Sequence, residues 1–202
     1  VLQTSGLFAL IEQRPYGRTA DPSAQPKSIF VNAMATAPFT VEAAVALKGR
    51  SAEFHAGLIA LSRLTEGPVH LVAPAGPMLP EAIATTGSLA RLHTVSGPHP
   101  AGNTSVHIHH IDPIRPGEVV WALRAADVVA IGTLFLTGHF PAERVIALGG
   151  PAVAEGKARH YRVSWGSSLA DLIVGRVAEE ARVIVGDALA GTAVPRDGYL
   201  PL

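Results

Sequence analysis

Three short β-prone runs, SIFV at 28–31, VHLV at 69–72 and RLHTV at 91–95, alternate with stretches rich in good helix formers. This alternation predicts an open, largely parallel α/β sheet with helices on both faces. The first strand is entered from the polar, proline-rich linker ADPSAQPK and reads as buried. From Pro38 to Leu64, apolar residues recur at helical spacing, and Gly49 divides the stretch into two helices. Pro80 to Thr86 predicts a further helix, with proline near its first turn.

Beyond residue 118 the pattern changes. EVVWALRAADVVAIGTLFLTGHF (118–140) reads as strand-like in several places, and RVIAL (144–148), closed by Gly149, Gly150 and Pro151, reads as a terminal core strand. After Glu155 the text suggests a strand, a helix capped by Ser167 or Ser168, and a last strand, ARVIVGDALAG, with a glycine-bounded turn. These elements predict a second, small α+β unit that is incomplete. No repeat or low-complexity tract is visible.

Composition removes whole classes of function. With 48% hydrophobic and 16% charged residues, 202 residues suffice for a sizeable core. Sixteen basic residues against sixteen acidic ones leave no net charge to attract nucleic acid or an anionic membrane. The absence of cysteine excludes disulfides, thiolate metal sites, cysteine-ligated iron–sulfur clusters and cysteine nucleophiles. The apolar stretch Val128 to Leu136 falls far short of the roughly 20 residues that span a bilayer. The opening VLQTSGLFALIEQRPYG lacks a signal-peptide pattern, and both ends read as boundaries inside a longer protein.

The motifs are sparse. GPHPAGNT (97–104) has two glycines five positions apart and a following hydroxyl, but Asn103 stands where a phosphate loop needs lysine. Pro98 and Pro100 also remove two backbone donors, so a rigid structural loop is the favoured reading over a nucleotide-binding module. No glycine set has the G-x-G-x-x-G spacing of a dinucleotide fingerprint. Ser5, Ser96, Ser164, Ser167 and Ser168 include no nucleophile elbow, and Glu179-Glu180 are neighbours that point apart rather than an acid–base pair.

The densest chemistry is VHIHHID at 106–112, with His99 upstream. On a strand His107 and His109 share a face, and with Asp112 or His99 they could hold a divalent metal, as a metal-dependent α/β enzyme requires. A third ligand at recognisable spacing is missing, since His55, His70, His93, His139 and His160 are scattered singly. The favoured reading is histidines hydrogen-bonded to backbone and acids on a half-polar strand or loop.

Six segments taken in order, SIFVNAMATAPF (28–39), GPHPAG (97–102), HIHHIDPI (107–114), VVWALRAADVVAIGTLFLTGHF (119–140), RVIALGGPAV (144–153) and RVIVGDALAG (182–191), closely resemble the NqrA subunit of the sodium-translocating NADH:quinone oxidoreductase. The resemblance runs from Gly6 to about Gly191. It implies a Rossmann-like domain over residues 1–157, related to the flavin-binding domain of the NADH-oxidising subunit of complex I. Residues 158–202 would be the start of a truncated β-grasp domain of the soluble-ligand-binding type.

The resemblance further implies a peripheral location on the cytoplasmic face of the bacterial inner membrane, next to the membrane-embedded NqrB subunit. The complex as a whole uses NADH, flavins, iron–sulfur centres and quinone to move sodium outward. The chain itself would hold no redox cofactor, no metal and no catalytic group of its own, and would be associated with quinone. A quinone ring wants an apolar slot with one or two donors, for which His99, His107 and His109 are the candidates. The chain departs from the family at Ala35 and Ala37, where members carry Asp and Asn. His107 and His109 match the family's H-x-H, whereas His110 and Asp112 fall where members vary.

Overall fold

The computed structural model describes residues 1–76 and 79–201. These fall into two compact units, Val1–Thr36 with Glu42–Pro141, and Ala37–Val41 with Ala142–Leu202.

The first unit opens with α1 (Leu2–Ser5) and a 3-10 turn over Leu7–Leu10, then β1 (Glu12–Arg14) and β2 (Arg18–Thr19). It continues through β3 (Ile29–Asn32), α2 (Ala43–Ala46), α3 (Ser51–Ser62), β4 (Val69–Pro74), α4 (Glu81–Ala84) and β5 (Arg91–Val95). It closes with α5 (Thr104–Ile111), β6 (Val120–Arg124) and α6 (Ala125–Thr137). The six strands form one sheet in the order β2-β1-β6-β3-β4-β5. β6, β3, β4 and β5 run parallel, and β1 and β2 close one side in antiparallel pairing. The α/β class expected from the alternation is therefore the class observed, with Gly49 at φ +69° separating α2 from α3.

Alternation along the strands assigns the two faces. Phe30, Val72, Val120 and Ala122 form one apolar cluster with Ile108 of α5, joined by Ile111 and Ile114. On the other face α3 and α6 contact β4, β3 and β6, and Phe8 meets Trp121 edge-on at 5.5 Å. α3 and α6 cross at two glycines: a Cβ on Gly132 would lie 1.7 Å from the Glu53 carbonyl oxygen, and one on Gly57 would lie 2.2 Å from that of Val128. Glycine at these two positions sets the interhelical distance.

The strand-like reading of 118–140 holds only as far as Arg124, where the chain turns directly into α6. The backbone N–H of Arg124 donates to Asp127, whose carboxylate also takes the Arg124 guanidinium, and these donations to one carboxylate fix the first turn of the helix. VVAIGTLFL lacks helical periodicity because α6 is buried around most of its circumference.

The second unit contains β7 (Glu143–Leu148), β8 (Arg159–Ser164), α7 (Leu169–Ile173), β9 (Val183–Val185) and β10 (Thr192–Val194). β7 pairs antiparallel with β8, so the run expected to end the main sheet belongs to a separate two-stranded one. β9 and β10 form another. Ser168 caps α7 by accepting from the Asp171 N–H at 3.3 Å, as its position before the helix predicts. Val163, Leu169 and Leu200 make a small core with Ile146, Tyr161 and Val185 around them. Phe39, at φ +64°, lies against Gly149, where a Cβ would come 2.5 Å from its ring.

Candidate functional site at the carboxyl ends of the parallel strands

In an open parallel sheet, ligands bind outside the carboxyl ends of the strands where the strand order reverses. Here β3 continues to β4 and β5 on one side, and α5 then carries the chain back to β6 on the other, so the reversal lies between β3 and β6. The residues at that point are Asn32 and the turn to Thr36, facing the loop 97–103.

That loop is bonded to the β3 turn. Asn32 Nδ2 donates to the Gly102 carbonyl and to Thr104 Oγ1, both at 2.9 Å, while its Oδ1 accepts from the Met34 N–H at 2.8 Å. Thr36 Oγ1 accepts the Gly102 N–H at 3.0 Å and meets His99 Nδ1 at 3.3 Å. A Cβ at Gly102 would lie 2.3 Å from Thr36 Oγ1, so only glycine permits the approach.

The same geometry answers whether a phosphate would fit. The Ala101 N–H donates to Pro98, Gly102 to Thr36 and Asn103 to Pro100, while Pro98 and Pro100 have no N–H. A phosphate cradle needs convergent free backbone donors, and this loop turns them inward. The residues present do not fit a nucleotide or flavin phosphate there.

The three sequence candidates do not converge. 104–111 is a helix, α5, and not the strand that the β-branched VHIHHI suggests. On a helix, residues two apart point in different directions, which overturns the shared face of His107 and His109. His107 is 2% exposed; its Nε2 donates to the Ala101 carbonyl at 2.7 Å, and Nδ1 is buried without a partner. Burial holds its pKa below the ordinary value, opposed by the bond to Ala101. His109 is exposed, its ring edge-on to His110 at 5.0 Å. His99 is half-buried beside Thr36. With His107 inside and His109 outside, the metal centre built on that pair has no geometric basis, and no group of three metal-ligating side chains occurs among the described residues.

A second polar array lies nearer the amino ends of the strands, and sequence reasoning passed over it. His70 of β4, 4% exposed, has Nδ1 at 2.9 Å from His93 Nε2 of β5 and Nε2 at 3.9 Å from Asp112 Oδ2. Asp112, at the end of α5, accepts Ser28 Oγ at 2.8 Å and pairs with Lys27 Nζ at 2.7 Å. Lys27 also reaches Glu118 at 3.0 Å and the Pro113 carbonyl at 2.9 Å.

Burial, then the neighbouring His93, pushes the His70 pKa down to about 4. His93 is lowered by burial and by Arg91. For Asp112 burial works upward, but bonds from Lys27 and Ser28 bring it below the usual carboxylate range. Lys27 is raised by its bonds to Asp112 and Glu118. One histidine on each of two predicted parallel strands was the only available signal; the register that brings them together is not written in either strand.

The sheet order and its crossover make the first unit a Rossmann-like α/β domain whose phosphate-loop position is closed by its own side chains. Comparison with known proteins gives the family. Residues 1–140 match the NqrA second alpha/beta domain and residues 145–196 the NQRA C-terminal domain, and the chain belongs to the NqrA family. It is 43% identical over 192 residues to the NqrA subunit of the Na(+)-translocating NADH-quinone reductase of Klebsiella pneumoniae strain 342, covering 95% of this chain and 42% of that protein. It is 39% identical over 188 residues to the protein of the same name from Neisseria meningitidis serogroup A, covering 93% and 41%. The chain thus spans less than half the length of these curated relatives. Among solved structures, an NAD+-reducing [NiFe]-hydrogenase chain in the air-oxidized state superposes with TM-score 0.61 at 17% identity, covering 98% of this chain and 45% of that one. That likeness is one of fold alone.

Proposed function

We propose that this chain is the part of the NqrA subunit of a sodium-translocating NADH–quinone reductase that supports quinone association and docking to its neighbours, without a redox cofactor of its own. The observation that carries this reading is the closed loop: at the position where a Rossmann-like domain would cradle a phosphate, Thr36 takes the Gly102 N–H, Asn32 holds the Gly102 carbonyl and the Thr104 hydroxyl, and the Ala101 and Asn103 N–H groups bond within the loop. The names of the relatives supply the complex, its donor NADH, its acceptor quinone and its sodium transport. In this reading flavins and iron–sulfur centres belong to other subunits, in keeping with the absence of cysteine here.

The protein would sit peripherally on the cytoplasmic face of the inner membrane, against the membrane-embedded NqrB subunit. No helix among the described residues is long and apolar enough to cross a membrane. The second unit would be the beginning of a β-grasp domain of the soluble-ligand-binding type, which agrees with the family match over 145–196. Of the three candidate histidines, His99, half-buried beside Thr36 at the carboxyl ends of the strands, is assigned the quinone carbonyl in this reading; His107 bonds the loop through the Ala101 carbonyl, and His109 is exposed.

Titration of a short-chain ubiquinone into the protein, followed by tryptophan fluorescence, tests the reading. Saturable binding that weakens at least about fivefold in His99→Ala, roughly the worth of one hydrogen bond, and is unchanged in His109→Ala is expected. Absence of saturable binding, or equal weakening in both variants, overturns the quinone assignment. Flavin retained at one per chain overturns the cofactor-free reading.

A further inference from the structure

The histidine pair under α5 has a feature that the quinone reading leaves unexplained. α5 packs on the Phe30–Val72–Val120–Ala122 face through Ile108 and Ile111, but its carboxyl end is fixed by polar groups from distant segments. β5, the outer strand of the parallel set, pairs with β4, and its half-buried His93 reaches this same array.

Proton positions in the array follow from chemistry. A hydrogen bond between two imidazoles needs one N–H and one bare nitrogen. His70 Nε2 faces the Asp112 carboxylate at 3.9 Å, where a bare lone pair would be repelled and an N–H attracted. The His70 proton therefore sits on Nε2, its Nδ1 accepts, and His93 Nε2 donates. The result is a directed bond from His93 to His70, with the His70 Nε2–H facing the Asp112 carboxylate at 3.9 Å, beyond hydrogen-bond reach, and His93 Nδ1 as the first site open to an added proton.

The surroundings decide what added protons do. Around His70 stand His93 and Arg91 from β5, Phe30 from β3 with its ring 4.6 Å away, Lys27 ahead of β3, and Asp112 at the end of α5. Glu118 is held by Lys27, and His107 lies one turn earlier on α5, bonded to Ala101. Two permanent cations and a single adjacent carboxylate leave little room for more positive charge. One proton on His93 preserves the His93–His70 bond. A second, on His70 Nδ1, sets two N–H groups against each other across 2.9 Å and breaks it.

We propose that the His93–His70 bond is an acid-sensitive latch that pins β5 to β4, and that proton uptake by both imidazoles releases β5 while α3, α6 and the carboxyl end of α5, held through Asp112 by Lys27 and Ser28, stay in place. Release uncovers the edge of β4 that β5 otherwise pairs. The sign follows from linkage: a histidine held neutral when latched and returned to about 6.5 when released favours the released form increasingly as pH falls below that value. With His70 at about 4 in the latched form, its contribution alone multiplies the opening equilibrium about fortyfold between pH 6.5 and 4.5.

Hydrogen exchange of the protein at pH 6.5, 5.5 and 4.5, corrected for intrinsic exchange rates, tests the latch. Amides of 91–95 are expected to lose about 10- to 100-fold in protection over this range, with 51–62, 108–112 and 125–137 changing less than about threefold. In the His70→Gln/His93→Gln double variant, whose amides pair without titrating, the loss over 91–95 is expected to shrink below about threefold. Uniform loss across both faces, or an equal loss in the double variant, overturns the proposal. If the double variant does not fold, ring-proton titration by NMR of the wild type decides: a His70 resonance titrating near 6.5 refutes the latch, and one still neutral at pH 5 while 91–95 opens supports it.

Discussion

Asn32→Ala is the substitution that most directly challenges the closed-loop reading. The side chain makes three hydrogen bonds, two of them across 70 and 72 residues of sequence to the Gly102 carbonyl and the Thr104 hydroxyl, and a local one from the Met34 N–H. A net contribution of about 0.5–1.5 kcal/mol per bond would give up to about 4.5 kcal/mol, but the site is half-buried and water replaces part of what is lost. About 2 kcal/mol is the expected loss, which for a domain of this size lowers Tm by about 4–8 °C. Urea unfolding supplies the global value, and hydrogen exchange locates it: protection should fall at Gly102 and Asn103 well before it falls in α3. Asn32→Asp keeps the acceptor for Met34 while losing both donors, and should fall between wild type and Ala. A destabilisation under about 0.5 kcal/mol with unchanged protection at 101–104 would mean that the loop is held by other contacts, and the argument against a phosphate site would lose its foundation.

Gly132→Ala should destabilise the first unit by about 2 kcal/mol or more despite alanine's better helix propensity, because the new methyl meets the Glu53 carbonyl; a urea midpoint at or above wild type would contradict the crossing geometry. Asp127→Ala removes the acceptor for the Arg124 N–H and guanidinium and should cost about 1–2 kcal/mol, read in the same assay. Ser168→Ala should cost about 1 kcal/mol confined to the second unit, seen as faster exchange at Asp171 with α3 and α6 unaffected. Gly102→Ala should open the loop 97–104 to protease while leaving the far-ultraviolet spectrum unchanged, since the clash is with Thr36 alone.

What the sequence made legible followed from how each element is buried. SIFV, VHLV and RLHTV are strands with one or both faces covered, and short β-branched runs between helix formers announce them. Gly49 marked the break between helices because a positive φ there favours glycine. α5 and α6 were misread for one shared reason: both are rich in Val and Ile, and one is eight residues long while the other is buried on most sides, so neither displays a clean helical stripe. The helix starts carried the missing signal, Asp127 three residues after Arg124 and, by position alone since its side chain makes no cap bond, Asn103 just before Thr104. RVIAL could not be assigned to a sheet from its own residues, because a short apolar strand reads alike in either partner's hands.

The polar sites show a further limit, and it bears on the functional argument. Asn32, Thr36 and Gly102 match no motif in the sequence, and neither do Lys27, Ser28, His70 and His93; each acquires a role only when the parallel register sets them beside one another. The conspicuous cluster at 107–112 behaves in the opposite way. Helix geometry disperses it, sending His107 into the core, His109 to solvent and Asp112 down to Lys27. Density of histidines along the chain thus says little here about density in space. The first polar cluster fastens a loop over the strand ends, and the second fastens a helix and an outer strand to the sheet. Both commit polar side chains to holding the fold together, and the first is the support for the proposed reading in which this chain carries no redox cofactor of its own.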